Sequence, residues 1–401
     1  MISFDKFHAL LSPDELERLA CPYALDRANS IKLSGSVVFL CLLNGLLNHN
    51  ELSQRLLEET FAQQTGDTCD HSSFRRCFAR MNPAYFDDLV ALLRRKLAPQ
   101  LSPATERALH LRFVDATTVT LSAKLLHFGL LVGTRSKDKP RRHVQTVWEQ
   151  DENGLPACLH LCKTASENAD TVALGETMRR KARPGDLFVF DKGCHGRARL
   201  WALHHAQAFW LTPLGTHRLN GRQTVWQSEA VSLDCPPASP KASGQLISVE
   251  TAVFGNDTVC RAARQQWQEM PLVIVHLWRY DPRRQQWVVL SLMTNLPYDP
   301  VTQQVGCFSF AEIAAVLAQR WDIEVVFKRL KQPLSLSPLI SRCENGIRVM
   351  LAMTQIAVLL LLWYRQQTRI DRGWRSVKFW LAKDVREWTQ LALAAIVWQT
   401  E

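Results

Sequence analysis

Arg320-Trp-Asp-Ile-Glu-Val-Val-Phe-Lys-Arg-Leu-Lys331 is the stretch on which the reading of this chain turns. It holds no Gly or Pro, and its apolar residues recur at helical spacing, so it predicts a helix. At about 100° per residue, Arg320, Glu324, Lys328 and Lys331 fall within roughly 80° of one another. Ile323, Val326, Phe327 and Leu330 cover the opposite side. One carboxylate is therefore held among three cations on a face with no other acid. A solvated stripe of helical ion pairs would show the same pattern. Two aspartates far upstream bear on the choice.

The first is Asp115, in Leu109-His-Leu-Arg-Phe-Val-Asp-Ala-Thr-Thr-Val119. Leu111, Phe113 and Asp115 alternate with other residues, and the β-branched content predicts a strand with the acid at its end. The second is Asp191, in Gly185-Asp-Leu-Phe-Val-Phe-Asp-Lys-Gly-Cys-His-Gly196. Leu187 to Phe190 form a short apolar run suited to a central strand buried on both faces. Asp191 closes it, and Gly193 and Gly196 mark the turn that leaves it. An acid at the end of a buried strand is costly unless something pairs it. Either aspartate alone could cap the next helix, but two of them plus a helical glutamate in a basic chain are harder to explain that way.

Composition points in the same direction. The chain has 401 residues, 47% of them hydrophobic, enough for a large core and two or three domains. Its formal net charge of +10 favours a polyanionic partner over an acidic small molecule. The 11 cysteines show no Cys-x-x-Cys pair, so they read as reduced thiols of a cytoplasmic protein. Cys158, His160 and Cys162 alternate along one strand and could hold a metal, although a buried apolar strand is the better reading, since no fourth ligand is evident. The opening Met-Ile-Ser-Phe-Asp-Lys lacks the regions of a signal peptide. The apolar runs Val37–Leu47 and Val349–Trp363 are shorter than the ~20 residues of a membrane span and read as core helices.

Composition shifts divide the chain. Residues 1–105 read as a helical domain, which the resemblance below makes the DNA-end-binding part. In it, Leu52–Phe61 and His71–Met81 flank the Gly66-Asp67 turn, like a helix-turn-helix whose Ser72, Arg75 and Arg76 face DNA. A plain helical hairpin is the alternative. Residues 106–214 alternate strands and helices and form the first part of an α/β core. Residues 215–295 are β-rich and read as an inserted β-domain, because the 132 residues between Asp191 and Glu324 are too many for one crossover. Residues 296–370 return to the core with the glutamate helix, and 371–401 form a C-terminal helical tail.

Together these residues resemble the DDE transposases of bacterial insertion sequences, in the branch that includes the insertion-sequence-four family. That branch carries Tyr, two residues, Arg, three residues, Glu, six residues, Lys; Arg320, Glu324 and Lys331 match it, while Leu317 stands at the tyrosine position. Thr294-Asn295-Leu296 and Asp191-Lys192-Gly193 match two further family phrases. The resemblance spans roughly residues 30 to 365. It implies a ribonuclease-H-like mixed sheet flanked by helices, with Asp115, Asp191 and Glu324 as catalytic metal ligands. Two Mg²⁺ ions would be held, with Mn²⁺ as a substitute, because carboxylates suit hard cations. Arg320, Lys328 and Lys331 would contact DNA phosphates. Leu317, on the same stripe, would point toward DNA without a hydroxyl to offer. Trp287 is a candidate to stack a flipped base, as some relatives do, with Trp226, Trp267 and Trp278 competing and a core role open. The implied function is cleavage of element ends and joining of the 3′-OH to target DNA. The partners would be terminal inverted repeats, target duplex and a second copy of the chain, with no membrane. A metal-dependent nuclease of the same fold, or an inactive DNA-binding regulator descended from a transposase, are the alternatives.

Overall fold

Asp186–Val189 is a strand with every residue buried, as the apolar run from Leu187 requires, and the largest sheet is built around it. The computed structural model describes residues 2, 4–26, 28, 32–49, 52–101, 109–120, 130–131, 142–162, 170–191, 197–214, 236–237, 244–253, 271–281, 284–331, 343–370 and 373–398. Six helices come first: α1 (Phe4–Leu10), α2 (Pro13–Ala20), α3 (Gly35–Asn48), α4 (Gln54–Thr65), α5 (His71–Arg80) and α6 (Ala84–Leu101). Side-chain oxygens of Ser12, Ser34, Ser53 and Asp70 accept first-turn N–H groups and fix the starts of α2 to α5. Gly66, at φ 72°, closes α4 in the left-handed conformation that favours glycine.

The sheet segment runs β1 (His110–Thr120), β2 (Leu130–Leu131), β3 (Arg142–Asp151), β4 (Pro156–Leu161), α7 (Asp170–Lys181), β5 (Asp186–Val189), α8 (Arg197–His205) and β6 (Phe209–Pro213). It continues through β7 (Leu246–Val253), β8 (Pro271–Asp281), β9 (Gln286–Thr294), the small hairpin β10 (Tyr298–Asp299) with β11 (Gln304–Val305), and the helices α9 (Phe310–Lys331), α10 (Glu344–Thr368) and α11 (Trp374–Trp398). Nine described strands share one sheet, ordered β2-β3-β1-β5-β6-β9-β8-β7 with β4 also on β3. Along β4-β3-β1-β5-β6, three antiparallel strands give way to two parallel ones. This is the expected ribonuclease-H-like arrangement. The β-rich stretch before the glutamate helix is present too. Its described strands do not form a separate layer, however, because β9 pairs antiparallel with β6 and carries the core sheet onward. Unpaired β6 would otherwise leave an open edge.

Two layers cover the sheet. Met178 of α7 and Leu200 and Leu203 of α8 pack on Val114, Phe188 and Trp210. On the other face Ile313, Val316 and Leu317 of α9 pack on Leu111, Phe113, Leu187 and Val189. A third core joins Phe39, Phe74 and Leu93 of the first helices to Met353 and Leu360 of α10 and to Leu381 and Trp388 of α11. Residues expected as a tail are thus a wall of the N-terminal helical layer, because α11 turns a row of apolar side chains onto α3 and α4. Alone among the described helices, α10 has the length and composition of a membrane span. Yet 89% of its apolar window is buried inside the protein.

Helical layer and sheet are tied by ion pairs. Arg112 on β1 donates to Glu149 Oε2 and, at 2.7 Å, to Asp186 Oδ2, with its guanidinium 4.7 Å from the Phe188 ring centre. Arg94 of α6 reaches Asp151 at 2.8 Å and Glu149 at 3.5 Å. The Asp186 and Arg112 side chains are only 6% and 14% exposed, so their separation should be expensive. Arg112→Met is expected to cost about 3–5 kcal/mol in urea unfolding, since it leaves the buried Asp186 without a cation. An unchanged midpoint would show that Arg94 alone neutralises the cluster.

Candidate active site

The site begins with strand register. Phe113 pairs with Val189, the last pair between parallel strands β1 and β5. Side chains alternate along a strand, so two residues further on Asp115 and Asp191 stand level on the same face. Asp115 is not at a strand end as expected; it is the sixth of eleven residues. The reason is that β3 continues to pair with β1 as far as Thr120↔His143. Among the described residues only the β5 side of the ladder stops, at Phe113↔Val189.

Helix α9 brings the glutamate. Its start is fixed by a reciprocal cap: Glu312 N–H donates to Ser309 Oγ at 3.3 Å, and Ser309 N–H donates to Glu312 Oε2 at 2.8 Å. Val316 and Leu317 then pack on the sheet face that carries Phe113 and Val189. One turn later Arg320 lies in the interior, its side chain 5% exposed. Its Nη1 donates to Glu324 Oε1 at 3.2 Å, and its Nη2 lies 4.0 Å from Asp191 Oδ1. One guanidinium therefore spans two of the three acids. Glu324 and Asp191 keep side-chain exposures of 39% and 48%, so both can meet a ligand from solvent. Asp115 is deeper, and its Oδ1 accepts the Ala116 N–H at 2.8 Å. Burial pushes its carboxyl up to about 6; the Ala116 N–H and Arg320 oppose that rise, while the charges of Glu324 and Asp191 add to it. The three acids thus sense one another electrostatically around a single buried cation.

A family model described as the transposase DDE domain matches residues 109–360, more than half of the chain. This chain belongs to that family. A Sinorhizobium fredii protein named as the transposase y4zB is 26% identical over 300 residues, covering 73% of this chain and 70% of its own length. A Synechocystis protein named as the transposase of insertion sequence element IS4SA is 37% identical over 70 residues, 18% of this chain and 20% of its own. The piggyBac transposase synaptic complex with hairpin DNA aligns at 11% identity and a TM-score of 0.45, over 100% of this chain and 82% of that one.

Within this DDE domain the other expected residues fare unevenly. Lys328 and Lys331 lie on α9, but their side chains fall outside the described residues, as do Lys192, Gly193, Trp226 and Trp267 entirely. Arg75 and Arg76 are exposed on α5. Ser72 is tied to the helix start, since its hydroxyl donates to Asp70 Oδ2 at 2.6 Å. Trp287 is half-buried, its ring edge-on to Tyr280 at 5.5 Å and Trp278 at 6.3 Å. Cys158 packs toward the helical core and Cys162 toward α7 and α8. A bulge between Val147 and Trp148 breaks the alternation that would align them. Among the described residues, the trio with ligand atoms all within 4.8 Å is Glu58, Asp70 and His71, on α4 and at the start of α5. The Thr294-Asn295-Leu296 phrase has a structural job: Thr294 Oγ1 donates to Trp210 O at 2.6 Å, and Asn295 Oδ1 accepts the Trp210 N–H at 2.8 Å. These bonds clamp β9 to β6.

Leu317 departs from expectation. It is 5% exposed and belongs to the core under α9, so its side chain packs on the sheet instead of facing outward. Charge marked the helical stripe in the sequence, whereas the sheet beneath claims its first half. Sequence reading also missed that Arg320 faces inward; the signal was its spacing of four and seven from the apolar Val316 and Ile313.

Two outcomes follow. Leu317→Tyr should overpack the α9–sheet core and lower stability by about 1–3 kcal/mol, without tightening DNA binding; a gain in binding at unchanged melting temperature would contradict the burial. The second concerns Asp115, whose folded-state value of about 6 exceeds the roughly 3.9 of an unfolded aspartate. Below about pH 4 both states are protonated and no penalty exists. As pH rises through 6 the folded state must bury a charge, and stability falls. Asp115→Asn in EDTA should therefore be more stable than wild type at pH 7.5 by about 1–2 kcal/mol, allowing for solvent screening. The gain should vanish near pH 4; a variant no more stable at pH 7.5 would refute the reading.

Proposed function

We propose that this DDE-domain protein is a DNA transposase that cuts element ends and joins the freed 3′-OH to target DNA. The observation that carries the reading is the parallel β1–β5 register, which sets Asp115 level with Asp191 while α9 delivers Glu324 beside them. Three carboxylates on one face, one deep and two reachable from solvent, are a hard-oxygen donor set that fits divalent metal. Asp115, Asp191 and Glu324 would hold Mg²⁺, with Mn²⁺ as substitute. The chemistry such ions supply is activation of water and of the DNA hydroxyl, with neutralisation of charge at phosphorus.

The protein's own contribution is placement. Asp115 is fixed by the strand ladder and its bond to Ala116 N–H. Glu324 is fixed by a capped helix seated on the sheet. Arg320 holds Asp191 and Glu324 toward each other when nothing else does, and could turn to a phosphate once they are otherwise engaged. Arg75 and Arg76 on α5 supply positive charge for the duplex, with Lys328 and Lys331 assigned from sequence alone. The bound substrate would be terminal inverted repeats and then target duplex, engaged by a homodimer in the cytoplasm.

Asp191→Asn and Glu324→Gln should each lower Mg²⁺-dependent strand cleavage by at least a thousandfold and leave end binding within about threefold. Loss of binding in both, with lowered melting temperature, would instead make the acids structural partners of Arg320. Cleavage that survives both changes would sink the assignment.

A further inference from the structure

The DDE match ends at residue 360, and the helix beyond it displays a surface that the site above does not use. Between residues 365 and 386 the sequence carries seven Lys or Arg against two Asp. One of those acids, Asp384, faces the core, where its Oδ2 accepts the Ile2 N–H at 2.7 Å and the Tyr364 hydroxyl at 2.8 Å. Lys378 is buried as well, its Nζ donating to His49 O at 3.4 Å, so the exposed charge on α11 is Arg375, Lys383 and Arg386 against Glu387. Arg375, Phe379 and Lys383 recur every four residues along α11 and are all exposed. They form one stripe about 12 Å long. Phe379, at 65% exposure, is the most exposed large aromatic among the described residues. It meets Trp380 edge-on at 5.4 Å, and Lys383 Nζ lies 5.9 Å from the Trp380 ring centre. At the start of the helix the Arg365 guanidinium sits 4.7 Å over the Trp374 ring.

A soluble helix gains little by presenting a bare phenylalanine between two cations, and the acid of this stripe, the exposed Glu387, lies one turn beyond Lys383. Neither Arg375 nor Lys383 has a carboxylate partner among the described residues. We infer that the exposed stripe of α11, centred on Arg375, Phe379 and Lys383, is a second docking surface for the backbone of duplex DNA, separate from α5. The two cations suit phosphates and the phenyl ring suits the deoxyribose between them, a geometry that reads no sequence. A duplex strand offers several phosphates within 12 Å. A second copy of the chain fits less well, since a two-fold contact through this stripe would oppose like charges. The inference rests on the reading of the protein as DNA-acting, and adds to it a sequence-independent contact of the kind target DNA requires.

The test uses the full chain and a labelled duplex of arbitrary sequence, titrated by fluorescence anisotropy at several salt concentrations. Arg375→Ala/Lys383→Ala should weaken binding and lower the slope of log affinity against log salt by about 1.8, roughly 0.9 for each phosphate no longer neutralised. Phe379→Ala should weaken binding and leave the slope unchanged. Thermal melts should match wild type, since all three side chains are exposed. Unchanged affinity and slope in both variants overturn the inference. So does unchanged DNA binding with a lowered solution mass, which would mark the stripe as an interface between copies. If the wild-type chain itself binds no duplex, the transposase reading fails and this inference falls with it.

Discussion

Everything at the candidate site depends on where the pairing of β1 with β5 stops. The last bonded pair, Phe113 with Val189, sets the level at which both strands release their next side chains. Were the register one residue different, Asp115 or Asp191 would turn to the α7–α8 face and the acids would part. The apolar residues that precede them, Leu111, Phe113, Leu187 and Val189, form the seat of α9. The same face that anchors the helix therefore presents the acids to it. Folding and site assembly are one event.

Gathering three carboxylates near one another is unfavourable by itself, and Arg320 explains how the fold tolerates it. A buried guanidinium beside two acids offsets their repulsion, while Asp115 keeps a raised affinity for protons. The site is thus under electrostatic tension that added positive charge would relieve. Clamps elsewhere compensate: the Thr294–Asn295 bonds across β6 and the Arg112 cluster both lie in well-buried positions.

Much of this was legible in the sequence because local pattern and tertiary role coincide. Leu187 to Phe190 suited an inner strand, and the stretch from Arg320 to Lys331 predicted a helix. Asp115 was harder to place: its strand continues past it, since β3 supplies partners that no local pattern announces. Leu317 misled because periodicity says which residues share a stripe but not where along the stripe the supporting sheet ends. The β-rich stretch was visible as strands, yet its merger with the core sheet depends on β9 meeting β6, a long-range pairing with no sequence mark. Polarity also concealed the role of α11, whose charged outer face suggests a tail while its inner face lines a core.

That last core has walls drawn from both ends of the numbering, α3 to α6 on one side and α10 with α11 on the other. During synthesis the early helices emerge long before the segments that cover them, and their apolar faces stay exposed until residues 344–398 follow. A product broken off after the sheet would lack those walls. It would be open to aggregation and to proteases instead of persisting as a folded fragment on DNA. The covalent distance between these walls thus acts as a proofreading device, letting only nearly full-length chains persist as folded protein.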